Sequence, residues 1–468
     1  MNIAQIGHFI ARQRAALGLT QAQLAERLDI TDKAVSKWER GKSMPDVALL
    51  NRLATELRTS VVEILSGESL QVARSSNLDV CGTLDETVCP TDPLVLQHLN
   101  PGDLLVSPYL FGSNLEHTRS CLYTGLSAQM LRNRKFVGKP TACMGCAMEW
   151  FPIGEKTIFT FDAPYTRHGK GYHMPRVAEC NALSLLNPCN GENAGLGQHG
   201  IALEQERPYL FAMVVKVREP ITVSVSLTDR AGKVTYACRT IAADAVDWAR
   251  YEIELTPDRA DPDADLHISW TQAGGVCFGA LSLLPKDNFR GMRRDVVEKM
   301  AALGIKVLRW PGGNFAGEYN WMDGLLPVDM RAPFQSYLGL ETQPHTLGYD
   351  FNEMNTDDFV ALCRKIGAEP FITINPCWNT PEENATWVEY CNGDSSTLYG
   401  GLRAKRGYEE PYRVQLWSLG NEFGYGHMEG DNTPSGYCKT ALEHGKKCWK
   451  FLQTSVCVPP VLTQTRNG

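Results

Sequence analysis

The chain has 468 residues, of which 43% are hydrophobic and 21% charged, and its formal net charge is −7. These are the proportions of a soluble globular protein, and the length suits roughly two to four domains. The negative balance excludes nucleic-acid binding by bulk charge, so any DNA contact must come from a local surface. No apolar run approaches the ~18 residues of a membrane span, and the N-terminus lacks the apolar core and cleavage site of a signal peptide; no membrane partner and a cytoplasmic location are expected.

Residues 1–68 read as a bundle of short helices. Ile6, Phe9, Ile10, Arg14 and Leu17 recur at helical spacing and Gly18 ends the run. Thr20 is placed to cap a helix from Gln21 to Leu28, because its side-chain oxygen can accept a free backbone N–H of the first turn. Asp29 and Ile30 make a turn, and Thr31 or Asp32 caps a third helix that runs to about Arg40 and stops at Gly41. Pro45 precedes a fourth helix, Val47 to Leu57, and a fifth is predicted from Ser60 to Leu65. Val35 and Trp38 fall on the core side of the third helix.

The phrase TQAQLAERLDITDKAVSKWERGKSMPD resembles the Cro/cI (Xre)-type helix-turn-helix family over about 60 residues, through Thr20-Gln21, Leu24-Ala25, Val35-Ser36, Trp38-Glu39-Arg40-Gly41 and Pro45. The resemblance implies that the third helix enters the major groove of a double-stranded DNA operator, with Asp32, Lys33, Ser36 and Lys37 facing base edges. It places Gln21 against a phosphate at a helix N-terminus. Positive and negative side chains nearly balance in this segment, so binding as a homodimer is expected rather than as a monomer.

Residues 69–103 are polar and weakly periodic, a linker and lead-in to the next region. Residues 104–136 hold a predicted strand in LLVSPYLFGSNLEH, ending at an exposed Glu116. Across 137–285 short strands alternate with turns: PYLFAMVVKV, ITVSVSLTD, YEIELT, DLHISWTQ and VCFGALSLLP. That pattern predicts an antiparallel β-sandwich. Its last strand resembles jelly-roll carbohydrate-binding modules, which implies that Trp150, Trp248 and Trp270 could stack on sugars; core packing is the competing role for each. The 15 cysteines are odd in number and irregularly spaced, which argues against a disulfide framework. Cys143 and Cys146 form one CxxC, with Cys180 and Cys189 downstream, enough thiolates for zinc. A single CxxC is a weak signal against buried free thiols, and no metal or cofactor is expected.

From 286 to 450 the pattern becomes βαβα. RRDVVEKMAALG, TDDFVALCRKIG and EENATWVEYCNG read as helices, and IKVLRWPGGNF, FITINP and VQLWSLGNEFG as strands with polar tips. Polar residues gathered where successive parallel strands end are the mark of a (β/α)8-type barrel, here incomplete. The fold class expected is therefore multidomain: an all-α helix-turn-helix bundle, a β-sandwich insertion and an incomplete α/β barrel.

These strand tips resemble family-51 glycoside hydrolases, the α-L-arabinofuranosidases, over about 104–136 and 286–447. Four phrases carry the resemblance in order: NLEH with Glu116, RWPGGNF with Arg309 and Asn314, YNWMDG with Trp321 and Asp323, and SLGNE with Asn421 and Glu422. It implies a retaining hydrolase acting on terminal α-L-arabinofuranosyl residues of arabinose-containing oligosaccharides. Glu422 would be the general acid/base and Asn421 would hold the sugar 2-hydroxyl. Glu116, Arg309, Asn314, Trp321 and Asp323 would bind the furanose. The family's nucleophile follows a seventh strand, and no residue here is assigned that role. Residues 451–468 show no barrel-like period, and the chain is expected to stop before the nucleophile. A sugar-responsive transcriptional regulator with a non-catalytic sugar-binding half is the alternative.

Overall fold

The computed structural model describes residues 3–28, 30–57, 59, 64, 107–118, 121–138, 146–167, 182–335, 346, 348–376, 378–422, 433–452 and 456–458. The chain divides into two compact units, 1–105 and 106–468. The predicted fifth helix of the first unit and the 69–103 linker fall outside the described residues, apart from the helical Ile64.

The first unit contains α1 (Ile3–Ala16), α2 (Gln21–Leu28), α3 (Asp32–Glu39) and α4 (Val47–Glu56). Its helix starts follow the local chemistry. The Gln23 backbone N–H donates to Thr20 Oγ1 at 3.2 Å while the Thr20 N–H donates back to Gln23 Oε1 at 2.8 Å, a reciprocal cap. Thr31 caps α3 by accepting from the Ala34 N–H. Phe9, Ile10, Leu24, Leu28, Val35, Trp38 and Leu53 form the shared core. Gly41 has φ +63°, and a Cβ there would lie 2.7 Å from the Ala4 Cα, so the turn after α3 needs glycine both for its backbone and for its approach to α1.

The second unit has two parts. In the first, β2 (Phe151–Ile153), β5 (Ala194–Leu203), β10 (Asp261–Trp270), β7 (Ile221–Thr228) and β8 (Thr235–Ala243) form one antiparallel sheet in that order. A second antiparallel sheet has the order β3 (Ile158–Asp162), β4 (Ala182–Asn187), β11 (Gly274–Pro285), β6 (Tyr209–Val217) and β9 (Ala249–Leu255). Alternate residues of both sheets, among them Val223, Val225, Leu266, Ile268, Phe211, Met213, Phe278 and Leu281, share one apolar core.

The other part is a parallel sheet in chain order: β1 (Gly112–Asn114), β12 (Val307–Trp310), β15 (Glu369–Ile374), β16 (Leu416–Leu419) and β17 (Val456–Val458). A two-stranded ribbon, β13 (Phe334–Gln335) with β14 (Tyr349–Asp350), lies between β12 and β15 in sequence. Helices Arg294–Ala302, Thr356–Ile366, Pro381–Asn392, Leu398–Lys405 and Pro434–Cys448 accompany the parallel sheet. Leu308, Trp310, Ile372, Trp417, Phe359, Leu362 and Trp387 belong to its core. No helix among the described residues is long and apolar enough to cross a membrane.

The structure departs from the sequence reading in two places. The strand expected before Gly112 is replaced, among the described residues, by a single 3-10 turn at Pro108–Leu110; residues 104–106 fall outside the described residues, and the strand that pairs with β12 is the exposed Gly112–Asn114, in register with Val307–Arg309. The 451–468 tail, read as irregular, supplies β17 beside β16, with Trp417 opposite Cys457. A run of three residues is too short to show a period.

A buried charge cluster ties the two parts of this unit together. Arg134 Nη1 donates to Asp329 Oδ1 at 2.7 Å and Arg134 Nε to Glu353 Oε1 at 2.8 Å. Burial works against the Arg134 charge, but Glu353 and Asp329 outweigh it and hold the guanidinium above its ordinary pKa. Lys135 donates to the carbonyls of Val328, Arg331 and Phe351 at 2.8–2.9 Å, and burial followed by the charge of Arg134 brings it down to about 7.

Candidate active site

The polar residues of the parallel sheet collect where β1, β12, β15 and β16 end. β1 ends at Asn114, and its amide donates to Glu116 Oε1 at 2.6 Å. Thr118 Oγ1 donates to Glu116 Oε2 at 2.7 Å, and the Gly313 N–H donates to Glu116 Oε1 at 3.0 Å. Three donors therefore fix this carboxylate.

The Pro311-Gly312-Gly313 turn after β12 is shaped around it. Gly312 has φ +112°, and a Cβ there would lie 2.2 Å from Glu116 Cγ. A Cβ on Gly313 would lie 2.7 Å from Glu116 Oε1 and 3.6 Å from Asn421 Nδ2, so these two residues from opposite ends of the sequence meet over one glycine. Arg309 joins them: its Nη2 donates to Asn421 Oδ1 at 2.9 Å. Burial lowers the Arg309 pKa, while Glu116 and Glu422 both pull it upward. Glu422 is exposed, with φ +43°, a left-handed conformation that a non-glycine residue adopts only when its surroundings hold it.

Glu116, Arg309, Asn421 and Glu422 thus lie together at the ends of β1, β12 and β16. Asn314 opens the turn Asn314–Gly317, and its side chain lies outside the described residues. Trp321 and Asp323 are each 1% exposed. The Trp321 indole lies parallel to Trp387 at 6.4 Å and tilted against Tyr390 at 5.2 Å, so it serves the aromatic core and shows no open face to a sugar. Its expected sugar contact is corrected accordingly: a tryptophan beside a motif has the same sequence signature whether it lines the cleft or supports its floor.

Several site residues escaped the sequence reading. Asn114 and Thr118 hold Glu116 from within two positions, a spacing visible in the NLEHT phrase. His117 is fully buried, with Nδ1 3.0 Å from Asp350 Oδ2 and Nε2 accepting from Trp310 Nε1 at 3.0 Å. Asn375, at the tip of β15, donates to the Gly317 carbonyl at 2.9 Å and links that tip to the loop after β12.

Residues 299–433 match the alpha-L-arabinofuranosidase 1 domain, and residues 10–64 match the helix-turn-helix family. The arabinofuranosidase match includes Arg309, Asn421 and Glu422; Glu116 lies upstream of it. The chain is 38% identical over 211 residues to alpha-L-arabinofuranosidase C of Emericella nidulans, which covers 44% of this chain and 40% of that protein. It is 35% identical over 162 residues to the intracellular exo-alpha-(1->5)-L-arabinofuranosidase of Halalkalibacterium halodurans, 35% of this chain and 31% of that one. The chain thus spans less than half the length of these relatives. An arabinose-bound MgGH51 α-L-arabinofuranosidase superposes with a TM-score of 0.62 over 75% of this chain and 58% of its own, at 17% identity, a likeness of fold.

A cavity of about 1140 Å³ lies elsewhere in the same unit, lined by Arg132, Arg134, Arg207, Arg293, Glu204 and Glu353 among others. Its lining contains none of Glu116, Arg309, Asn421 and Glu422. Those arginines already pair with Glu149, Glu353, Glu204, Asp287 and Asp295, so the strand tips remain the better candidate for chemistry.

In the helix-turn-helix segment, Asp32, Lys33 and Lys37 are exposed and Ser36 partly so, all on α3. Gln21 opens α2, as its place in the phrase implies, and its side chain has a partner within the protein. Its Nε2 donates to Glu39 Oε2 at 2.5 Å, and Glu39 is also clamped by Arg14 Nε at 2.5 Å and Nη2 at 3.0 Å. The amide at the start of α2 is engaged within the protein and ties α2 to the end of α3. Of the cysteines weighed as zinc ligands, Cys143 and Cys180 lie outside the described residues. Cys146 is buried, which pushes its thiol up to about 12, and Cys189 is a free, partly exposed thiol. No group of three or more metal-ligating side chains occurs among the described residues.

Proposed function

We propose that the strand-tip site binds a terminal α-L-arabinofuranosyl residue and supplies the acid/base half of a retaining glycoside hydrolysis, on a chain that also binds DNA. The observation that carries this is the meeting of Glu116 and Asn421 over Gly313, with Arg309 orienting Asn421. Glu422 follows Asn421 directly at the tip of β16 and is exposed, which suits a proton donor to a leaving glycosidic oxygen. Glu116, fixed by three donors, acts as an acceptor for sugar hydroxyls. A retaining mechanism needs a second reacting carboxylate about 5–5.5 Å from the acid/base. No described residue is assigned to it, and acid/base catalysis alone contributes about 10²–10⁴-fold.

The test is calorimetry of the full chain with α-1,5-arabinobiose. Binding should weaken at least about tenfold in Glu116→Ala and in Asn421→Ala, the loss of one hydrogen bond to a charged or well-placed group. An absence of heat with the unaltered chain overturns the sugar assignment. Enzyme-like release of 4-nitrophenol from its α-L-arabinofuranoside, lost in Glu422→Gln, would show a nucleophile beyond the residues named here.

For the first unit the proposed ligand is a double-stranded DNA operator bound by a homodimer, on the strength of Lys33, Ser36 and Lys37 on one face of the capped helix α3. Selection from random duplexes that enriches no sequence would overturn it. Of the three tryptophans weighed for sugar stacking, Trp150 and Trp270 are buried in the core between the antiparallel sheets, at 0% and 2% exposure. Trp248 is the partly exposed one, beside Tyr165 at 5.1 Å, and is the residue proposed to carry any carbohydrate contact of this region.

A further inference from the structure

We propose that His117 is a positioning residue: a buried imidazole, locked in one tautomer by Trp310 and Asp350, that holds the Gly312-Gly313 turn and thereby Glu116 in place. The inference rests on the reading of Glu116 as a sugar-binding group. Indole N–H is a donor only, so the 3.0 Å contact from Trp310 Nε1 requires His117 Nε2 to be an acceptor. The ring proton must then sit on Nδ1, where it is donated to Asp350 Oδ2 at 3.0 Å. Asp350 is itself fixed, because its Oδ1 accepts from the Asn352 N–H at 2.7 Å and it interacts with the Tyr123 hydroxyl. Asp350 and the imidazole are both fully buried.

What the imidazole grips decides the role. Trp310 immediately precedes the Pro311-Gly312-Gly313 turn. Phe315, just after it, stacks on the imidazole with ring centroids 4.3 Å apart and planes 12° apart. His117 therefore holds the turn at both ends, by a hydrogen bond before it and by stacking after it. The Gly313 N–H in that turn donates to Glu116, the residue adjacent to His117. A change of tautomer would set an imidazole N–H against the indole N–H and push the two ends of the turn apart.

The experiment has two arms on the full chain. Selective ¹⁵N-histidine labelling and long-range proton–nitrogen correlation read the tautomer directly; the expected result is an Nδ1–H imidazole for His117. An Nε2–H tautomer overturns the proposal whether or not any sugar binds. The second arm measures α-1,5-arabinobiose affinity and the thermal midpoint for His117→Leu, His117→Gln and Asp350→Asn. Glutamine can accept from Trp310 and donate to Asp350, so His117→Gln should stay close to the unaltered chain. His117→Leu and Asp350→Asn should lose about tenfold in affinity, the loss of one good hydrogen bond. Equal loss in the Gln and Leu variants, both folded, would reduce His117 to packing and overturn the proposal, as would unchanged affinity in His117→Leu. If the unaltered chain binds no arabinobiose, the sugar reading fails, and the tautomer arm still decides whether the imidazole is locked.

Discussion

Protonating His444 should destabilise the second unit, and the burial of the ring sets the sign. His444 lies on the helix Pro434–Cys448 and is 4% exposed. Asn384 Nδ2 donates to its Nδ1 at 2.9 Å and to the Asn375 carbonyl at 2.7 Å. Asn384 Oδ1 accepts from Asn379 Nδ2 at 3.2 Å, so the amide orientation is set. Nδ1 must accept, which leaves no room for a second ring proton. Burial accordingly lowers His444 from 6.5 to about 4. The folded pKa is below the unfolded one, so the contribution to stability is complete above pH 6.5. It is lost progressively as the pH falls toward 4, because the unfolded chain takes up the proton first. That difference corresponds to roughly 3 kcal/mol. The assay is urea unfolding followed by tryptophan fluorescence from pH 7.5 to 4, for the unaltered chain and for His444→Gln. Glutamine keeps the acceptor and cannot titrate, and Lys135 and the carboxylates are common to both proteins. The unaltered chain should lose about 3 kcal/mol more than the variant across this range. Parallel pH profiles would refute the reasoning.

Three further outcomes are expected. Gly312→Ala places a Cβ 2.2 Å from Glu116 Cγ at φ +112°, so it should cost about 1–3 kcal/mol of stability and weaken arabinobiose binding; a variant with unaltered affinity by calorimetry would contradict the geometry. Arg134→Met leaves Asp329 and Glu353 without their shared buried partner, and should lower urea-unfolding stability by about 3–5 kcal/mol; a change below about 1 kcal/mol would show that the cluster relaxes or takes in water. Lys33→Ala should relax sequence choice by about 1–3 kcal/mol at one base step while leaving non-specific binding nearly unchanged at fixed salt, and a uniform loss across all sequences would make Lys33 a phosphate contact instead.

The helices of the first unit were legible because their signals are local: Thr20 and Thr31 cap from within three residues, and Gly18 and Gly41 stop what precedes them. The Gln21–Glu39 hydrogen bond was not legible, because the partners are 18 positions apart and nothing near Gln21 announces it. The position of β1 within its phrase was hidden for a related reason. Gly112-Ser113-Asn114 has low strand propensity and every residue is exposed; it becomes a strand only through pairing with β12. The apolar Tyr109-Leu110-Phe111 run beside it carries the stronger local pattern, yet Pro108–Leu110 form a 3-10 turn. At the site, Glu116, Arg309, Asn421 and Glu422 were readable as residues at the ends of strands. The His117 anchor was not, because its partners Asp350 and Trp310 are 233 and 193 positions away. Trp321 shows the converse: its place in the phrase was visible, its burial against Trp387 was not.

The placement of both antiparallel sheets between β1 and β12 has a consequence for how the chain folds. Ser113 and Leu308 are register partners although roughly 195 positions separate them; closing a flexible loop of that length costs about 5 kcal/mol in chain entropy. If the two antiparallel sheets form first, β11 returns the chain near its starting point and most of that cost has already been met. Arg134 and Lys135, on the way into those sheets, and their partners Val328, Asp329, Arg331, Phe351 and Glu353 beyond β12 would then dock as preformed surfaces. On this account Glu116 is the last part of the site to arrive, since it follows a strand whose only described sheet partner is β12. Slow formation of a competent site on a chain whose antiparallel sheets are already complete would be its kinetic signature.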